Sequence, residues 1–256
     1  MTLLQSASQL QMENESFVMV TLVSTRGEAP QDPGAKIIVT KDGLKEGTIG
    51  GGKVEAAAIK KAQEQLATNK QPQPELITWN LQTDIGMTCG GEVTFLFEFF
   101  FAHNWPIIIF GAGHVAQALT RTLINLPCQV TCIDHRSEWI NQLDSKTKSM
   151  THANPSQLVK EFSPNSYFIC MTQGHAHDVP ILKAIFEHAP DCPYVGVIGS
   201  AIKGKRIKNE LLEMGVSQAF CEKLKVPIGL PIGSNHPYEI AISITAQLLE
   251  IRQLTK

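Results

Sequence analysis

The segment Pro106–Arg136 constrains the fold of this chain more than any other part of its sequence. Four apolar residues, Ile107 to Phe110, lie between a proline and a glycine, which is typical of a short buried strand. A glycine turn beginning at Gly111 follows, and a helical pattern of apolar residues then leads to a second strand that ends in Asp134. Strand, glycine turn, helix and second strand together predict a βαβ unit of a parallel sheet.

The turn Gly111-Ala-Gly113-His114-Val-Ala fits the G-x-G-x-x-G/A pattern of dinucleotide-binding turns. Gly111 permits the tight turn, Gly113 lets the backbone approach a pyrophosphate, and the helix N-terminus offers unpaired N–H groups to it. Asp134 lies near the spacing of about 20 residues expected for the acid that receives a ribose hydroxyl. We therefore predict that Gly111, Gly113, His114 and Asp134 contact a nucleotide-type ligand. The alternative is a βαβ unit whose glycines serve only helix packing.

The remainder of the second half alternates strands with helices, as parallel sheets require. The predicted elements are strands at 149–152, 167–171 and 194–198 and helices starting at Pro180, Ala201 and Pro237. The predicted fold class is α/β, with a C-terminal Rossmann-like parallel sheet that carries helices on both faces and follows a smaller α+β domain.

Polar residues follow two of these strands where ligands bind in open α/β sheets, outside the carboxyl ends of the strands. The segment 172–178 is predicted to be a loop that brings His175, His177 and Asp178 to a ligand. Metal binding by this H-x-H-D cluster is the alternative to polar contacts. Gly199 and Ser200 follow the last strand and are predicted to contact the same ligand.

The smaller domain is predicted to cover residues 1–102, which leaves 103–256 for the Rossmann-like domain. Its predicted elements are a helix over 4–13, strands at 17–24, 35–40, 73–81 and 92–100, and an alanine-rich helix after the glycine run at 50–52.

Two loops of this first domain suggest chemistry. A predicted helix begins directly after Gly50, Gly51 and Gly52, so the N–H groups of these residues are predicted to bind an anion. The alternative is a loop pressed against neighbouring backbone. Cys89 is followed by two glycines, and nearby backbone amides would favour its thiolate. The alternative is a cysteine that merely fills a turn.

Composition excludes several classes of partner. The net charge of −2 gives no reason to expect nucleic acid or an acidic membrane surface. The longest apolar runs are strand-sized, and the N-terminus lacks the basic residues of a secretory signal. We expect a cytoplasmic protein. None of the six cysteines forms a CxxC pair, so structural zinc is not expected.

These motifs, in this order and spacing, resemble the xanthine dehydrogenase accessory protein family (XdhC/CoxI) over most of the chain. The matching segments are Gly34-Ala35-Lys36, Gly47 to Gly52 with Glu55, Cys89-Gly90-Gly91, Phe110 to Val115, Asp134-His135-Arg136, Gly196 to Ser200, Pro227 to Leu230 and Glu239 to Ala241. The chain departs from the family at Gln173, where a histidine is frequent, and at Val226, where a cysteine is common.

The resemblance implies a non-enzymatic chaperone for the molybdenum cofactor. Such a protein binds molybdopterin, supports its sulfuration by a cysteine desulfurase and delivers it to apo-xanthine dehydrogenase. It also implies that Cys89 contacts molybdenum or carries sulfur. The Rossmann site would then hold part of the cofactor, or a separate NAD(P) or other adenine nucleotide. An exposed strand edge in the first domain could support a homodimer.

Two other functions remain open from the sequence. The first is an NAD-dependent oxidoreductase, for which His175 is the only attractive acid or base. The second is a nucleotide-sensing module that has affinity for a nucleotide and none for molybdopterin.

Overall fold

A computed structural model describes residues 2–68, 72–88, 90–102 and 105–254 of the chain. They fall into two compact units, Met1–Ala102 and His103–Lys256. The elements of the first unit are α1 (Leu3–Met12), β1 (Phe17–Arg26), β2 (Lys36–Thr40), β3 (Gly43–Thr48), α2 (Gly52–Leu66), β4 (Glu75–Asn80) and β5 (Glu92–Phe100). The elements of the second unit are β6 (Pro106–Phe110), α3 (His114–Leu123), β7 (Gln129–Asp134), α4 (Ser137–Ile140), β8 (Lys148–Thr151), a 3₁₀ helix (Pro155–Glu161), β9 (Tyr167–Cys170), α5 (His175–His188), β10 (Tyr194–Val197), α6 (Ala201–Glu213), α7 (Gln218–Lys223) and α8 (Pro237–Leu254).

The first unit is built on a five-stranded antiparallel sheet in the order β3-β2-β1-β5-β4. Side chains alternate across a strand, so Val18 and Val20 of β1 pack with Ala58 of α2 on one face of the sheet. On the other face Phe17 packs with Leu10 of α1. Burial of these side chains, about 1.5–3 kcal/mol for each large one, fixes both helices to the sheet.

Strand β3 was not predicted from the sequence. It leaves the turn at Gly43 and pairs with β2 at the edge of the sheet. None of its residues is buried, so its sequence lacks the alternation of apolar and polar residues that marks a half-buried strand.

The second unit confirms the predicted fold class. Its five strands are parallel and lie in the order β10-β9-β6-β7-β8. In the central strand β6, Ile107 and Ile109 point into a core shared with α3 and α8. Ile108 and Phe110 point into the opposite core, shared with α5, α6 and α7. The unbroken apolar run of β6 therefore reflects burial on both faces.

The strand order creates a topological switch point between β6 and β9. The chain runs from β6 to β7 on one side, and later enters β9 on the other side of β6. Loops that leave the carboxyl ends of β6 and β9 therefore diverge, and the crevice between them is where open α/β sheets bind ligands.

Helix α5 begins earlier than predicted. The prediction of a loop over 172–178 and a helix from Pro180 was wrong, because the helix starts at His175 and Pro180 lies inside it. The backbone N–H groups of His177 and Asp178 already donate to the Gly174 carbonyl oxygen, at 3.0 and 3.2 Å. A proline favours the first turn of a helix, but here the preceding residues close that turn themselves.

Candidate functional site

The glycine turn after β6 is held tightly against the neighbouring chain. Gly111 has a φ of 105°, and a Cβ atom at this position would collide with the Met171 carbonyl oxygen. Its N–H donates to the Ile133 carbonyl oxygen at 2.7 Å. Gly111 is therefore required by the close approach of the chains that follow β6 and β9.

Gly113 has a different environment. It is the N-cap of α3, it makes no side-chain capping hydrogen bond, and a Cβ atom would meet nothing within 4 Å. The first N–H groups of α3 thus lack a side-chain cap, which suits an anion. His114 starts this helix, is exposed, and lies edge-on to Trp139 with ring centroids 4.9 Å apart.

The carboxylate of Asp134 is buried and fully occupied by hydrogen bonds. Its Oδ2 accepts from Ala112 N at 2.7 Å and Arg136 Nη2 at 2.8 Å. Its Oδ1 accepts from Arg136 N and Nε, both at 3.0 Å. Burial alone would raise the pKa of Asp134, but the hydrogen bonds to Arg136 and Ala112 outweigh it and lower the pKa.

A pocket of about 130 Å³ lies at the carboxyl ends of β6 and β7. We call it the switch-point pocket. Its apolar wall includes Phe110, Ile133, Pro155 and Ile181, and its polar rim includes His135, Arg136, Asn154 and His177. A volume well below the roughly 300–1,000 Å³ of typical ligand sites suits one ring system of a larger ligand.

Two features of the rim favour a flat ligand. The rings of His135 and His177 stack with centroids 5.5 Å apart and planes 19° apart. The Arg136 guanidinium lies 5.0 Å from the centre of the Trp139 ring. Flat, polarizable groups of this kind stack on heterocycles.

The residues of the H-x-H-D cluster point to three different partners. His177 joins the pocket rim, whereas the Asp178 side chain is 0% exposed and pairs with Lys203 Nζ at 2.6 Å. Thr172 Oγ1 donates to the other oxygen of Asp178 at 2.6 Å. Asp178 thus ties the start of α5 to the start of α6.

His175 is held by a different partner again. Its Nε2 pairs with a Glu210 carboxylate oxygen on α6. Its Nδ1 is buried and has no hydrogen-bond partner among the described residues. His175 is not among the residues that line the switch-point pocket.

Gly199 and Ser200 position Lys203. Ser200 is the N-cap of α6, and its hydroxyl oxygen accepts from Lys203 N at 3.3 Å. Gly199 has a φ of 147°, and the Lys203 side chain fills the space a Cβ would need. Lys203 Nζ also donates to the Ile198 carbonyl oxygen at 2.9 Å. The structure thus connects this segment to the buried Asp178.

In the first unit, the glycine loop before α2 already surrounds an anion, the carboxylate of Glu55. One Glu55 oxygen accepts from Thr48 Oγ1, Ile49 N and Gly51 N at 2.7, 2.9 and 3.2 Å. Burial would raise the pKa of Glu55, but these hydrogen bonds outweigh it and the pKa is lowered. Gly50 N donates to Thr48 Oγ1 at 3.3 Å, so three of the loop's N–H groups are satisfied within the chain.

The same loop lies against two other segments of the first unit. A Cβ at Gly50 would come within 2.7 Å of the Pro30 ring, and Lys53 Nζ donates to the Gly86 carbonyl oxygen at 2.6 Å. Gly51 and Gly52 have positive φ, and a Cβ atom at either would meet nothing within 4 Å. Cys89, predicted to contact the cofactor or molybdenum, lies outside the described residues.

The five described cysteines have environments that disfavour thiolate. Burial raises the pKa of Cys128 to about 11 and that of Cys132 to about 12. Across the described ranges, no group of three or more His, Cys, Asp or Glu side chains could hold a metal ion. In the part of the chain that the structure describes, no helix combines the length and apolar character needed to cross a bilayer.

Most residues of the pocket rim were not predicted from the sequence as ligand contacts. His177 was predicted from its place after β9, but Arg136 was noted only as part of a matching motif, and His135 and Asn154 were not predicted to contact a ligand. The available signal for these three residues was their position directly after β7 and after β8, both of which end at the carboxyl edge of a parallel sheet.

An antiparallel unit followed by a parallel sheet, with a glycine turn and pocket at its switch point, defines a two-unit protein with a Rossmann-type second domain. The chain belongs to the XdhC and CoxI family. The family model described as the XdhC Rossmann domain matches residues 107–248, and that described as the XdhC and CoxI family matches residues 10–79. The resemblance inferred from the sequence is thereby confirmed.

Relatives from Escherichia coli K12 extend over both units. The chain is 28% identical to the uncharacterized protein YqeB over 98% of its own length but spans only 46% of YqeB. It is 25% identical to the molybdenum cofactor insertion chaperone PaoD, over 98% of this chain and 88% of PaoD. A crystal structure of a xanthine dehydrogenase from Bacillus halodurans shares the fold, with a TM-score of 0.53, 20% identity and coverage of 100% and 97% of the two chains.

Proposed function

We propose that this protein is a chaperone that binds the molybdenum cofactor and delivers it to an apoenzyme of the xanthine dehydrogenase type. The observation that carries the proposal is its similarity to the chaperone PaoD, which runs through 98% of this chain and 88% of the relative. A similarity that covers both units supports a shared activity better than one confined to the Rossmann-type domain, since that domain alone serves many functions.

The second unit fits a phosphorylated heterocycle. Gly113 and Gly174 are the N-caps of α3 and α5, both lack a side-chain cap, and a Cβ at either would meet nothing within 4 Å. These helix starts can receive a phosphate. The switch-point pocket beside them can take a ring, with His135 and His177 stacked at its rim.

These residues would bind and orient the cofactor. The backbone at Gly113 and Gly174 would hold its phosphate, and the pocket rim would hold a ring. When bound, the cofactor supplies the molybdenum centre at which the client enzyme works.

Delivery is tested by reconstitution. Purified protein is loaded with the sulfurated molybdenum cofactor and mixed with apo-xanthine dehydrogenase, and the activity gained is compared with that from the same amount of cofactor alone. We expect a higher gain with the protein present, and molybdopterin that co-purifies with it should be visible by fluorescence after oxidation. Equal gains would refute delivery.

A variant at the helix start makes the test specific. Gly113→Asp should fold, because Gly113 has the extended backbone of an ordinary N-cap (φ −66°, ψ −179°) and Asp caps helices well. Its carboxylate would occupy the helix N–H groups and repel a phosphate, so cofactor binding should fall by about tenfold or more. The control is Ser217→Asp, which exchanges one capping residue for another at α7 and adds the same charge.

Sulfuration adds a role for Cys89 that rests on its sequence context alone. We propose that its thiolate attacks the persulfide of a cysteine desulfurase, takes the terminal sulfur and releases the desulfurase thiolate. Mass spectrometry after incubation with desulfurase and cysteine should find one added sulfur on Cys89. The control is Cys128→Ser, because the pKa of Cys128 is raised to about 11. Absence of the persulfide would refute the sulfur-carrier role and leave the delivery test unaffected.

A further inference from the structure

The corner of the switch-point pocket formed by Asp134, His135 and Arg136 is where a Rossmann-type site meets the ribose of a nucleotide. In such sites an acid at the end of the second strand accepts a hydrogen bond from a ribose hydroxyl. Asp134 ends β7 and lines the pocket. Its position is therefore the expected one, but its hydrogen bonding is not.

Asp134 has no acceptor capacity left for a ligand. A carboxylate offers about four lone-pair sites, and four N–H donors occupy them at 2.7, 2.8, 3.0 and 3.0 Å. The side chain is only 2% exposed. A ribose hydroxyl would have to displace a charged donor or the Ala112 N–H of the glycine turn, and each displaced donor would then lack its partner.

Arg136 presents the opposite polarity to the pocket. Its Nε and Nη2 bind Asp134, and its remaining N–H groups make no hydrogen bond to any other described residue. The Arg136 side chain is 16% exposed and lines the pocket, and its guanidinium lies over the Trp139 ring. A held guanidinium with spare donors is suited to a phosphate.

We propose that the switch-point pocket selects a nucleotide with a phosphate on the ribose 2′ position, that Arg136 binds this phosphate, and that Asp134 is a positioning residue. The base lies against the apolar wall beside His135 and His177. Such a nucleotide could be free, or part of a larger cofactor. Selection at this nucleotide site does not depend on the proposed delivery of the molybdenum cofactor.

The test is a ligand series measured by calorimetry on the full chain, without molybdopterin. The ligands are adenosine 5′-monophosphate, its 2′-deoxy analogue and adenosine 2′,5′-bisphosphate. We expect the bisphosphate to bind about tenfold more tightly than the monophosphate, which is the effect of one or two charge-assisted hydrogen bonds. Removal of the 2′ hydroxyl should change the affinity by less than about twofold, because Asp134 has no free acceptor site.

Two substitutions assign the selectivity. Arg136→Gln should abolish the preference for the bisphosphate, whereas Arg206→Gln, at an exposed arginine of α6 outside the pocket lining, should keep it. Asp134 does not contact the ligand in this proposal, but Asp134→Asn should still reduce the ratio of bisphosphate to monophosphate affinity, because Arg136 would lose the carboxylate that holds it in place. If Arg136→Gln fails to fold, the ligand series on the natural protein still decides the question.

Three results would overturn the proposal. One is a loss of affinity of about tenfold or more on removal of the 2′ hydroxyl, which would show that the protein forms a hydrogen bond with this hydroxyl. Another is equal or weaker binding of the bisphosphate. The third is no binding of any of these ligands at millimolar concentration. NADP⁺, which carries adenosine 2′,5′-bisphosphate as one half, separates the two sources in the same series: tighter binding than the bisphosphate indicates a larger cofactor, and equal binding indicates a free nucleotide.

Discussion

The buried carboxylate of Asp178 offers the sharpest test of how the second unit is held together. Asp178→Ala would leave Lys203 and Thr172 without their partner at the junction of α5 and α6. Breaking a buried ion pair on one side costs about 3–5 kcal/mol. Lys203 is 23% exposed, so water can partly solvate it and we expect a value near the lower end, about 3 kcal/mol.

The assay must report on the second unit alone, because a chain of two compact units need not unfold in one step. The three tryptophans are Trp79 in the first unit and Trp105 and Trp139 in the second. In a Trp79→Phe background, fluorescence therefore follows the second unit. A loss of about 3 kcal/mol should lower its melting temperature by about 6–12 °C.

A double substitution and a surface control complete this test. Asp178→Leu combined with Lys203→Met removes both charges, so it should destabilise much less than the sum of the single changes. Lys183→Met, in an exposed pair with Glu187 at 3.9 Å, should cost less than about 1 kcal/mol. Additive effects at Asp178 and Lys203, or a shift below about 2 °C for Asp178→Ala, would refute the reasoning.

Three other sites give further predictions. Gly111→Ala should destabilise the second unit by more than about 2 kcal/mol in urea unfolding, since its Cβ would collide with the Met171 carbonyl oxygen at a positive φ; a loss below about 0.5 kcal/mol would contradict this. Because the folded pKa of Glu55 is lowered, its ionised form stabilises the first unit above the unfolded pKa of about 4.3. That contribution is lost as pH falls through the folded pKa, so Glu55→Gln should flatten the acid dependence of melting, and an unchanged slope would contradict the assignment. Burial raises the pKa of Cys170 well above its ordinary value, so iodoacetamide at pH 8 should label it only after unfolding; labelling of the native chain would contradict its burial.

The sequence was sufficient for most of the elements of the second unit. The apolar run of β6, the glycine turn and the helical period of α3 are local patterns, and local patterns reflect backbone preference and burial of one face or two. The same local signals predicted the class of fold, and the order of motifs predicted the family. Strand β3 was not predicted, because an exposed edge strand does not need alternating apolar and polar residues.

Tertiary structure decided what the polar residues do. Asp134, Asp178 and Glu55 all stand at positions where the sequence predicts ligand contacts or an anion site, yet each carboxylate is already bound by donors within the chain. No sequence spacing specifies this, because the direction of a side chain depends on which donors the packed helices and turns bring within about 3 Å. Because a buried charge is costly without hydrogen bonds, each carboxylate retains the donors that it contacts. The sequence by itself predicted that a ligand site would lie at the carboxyl ends of the strands, and only the packing of the chain decided that the Asp134 carboxylate there would be occupied by Arg136 and Ala112.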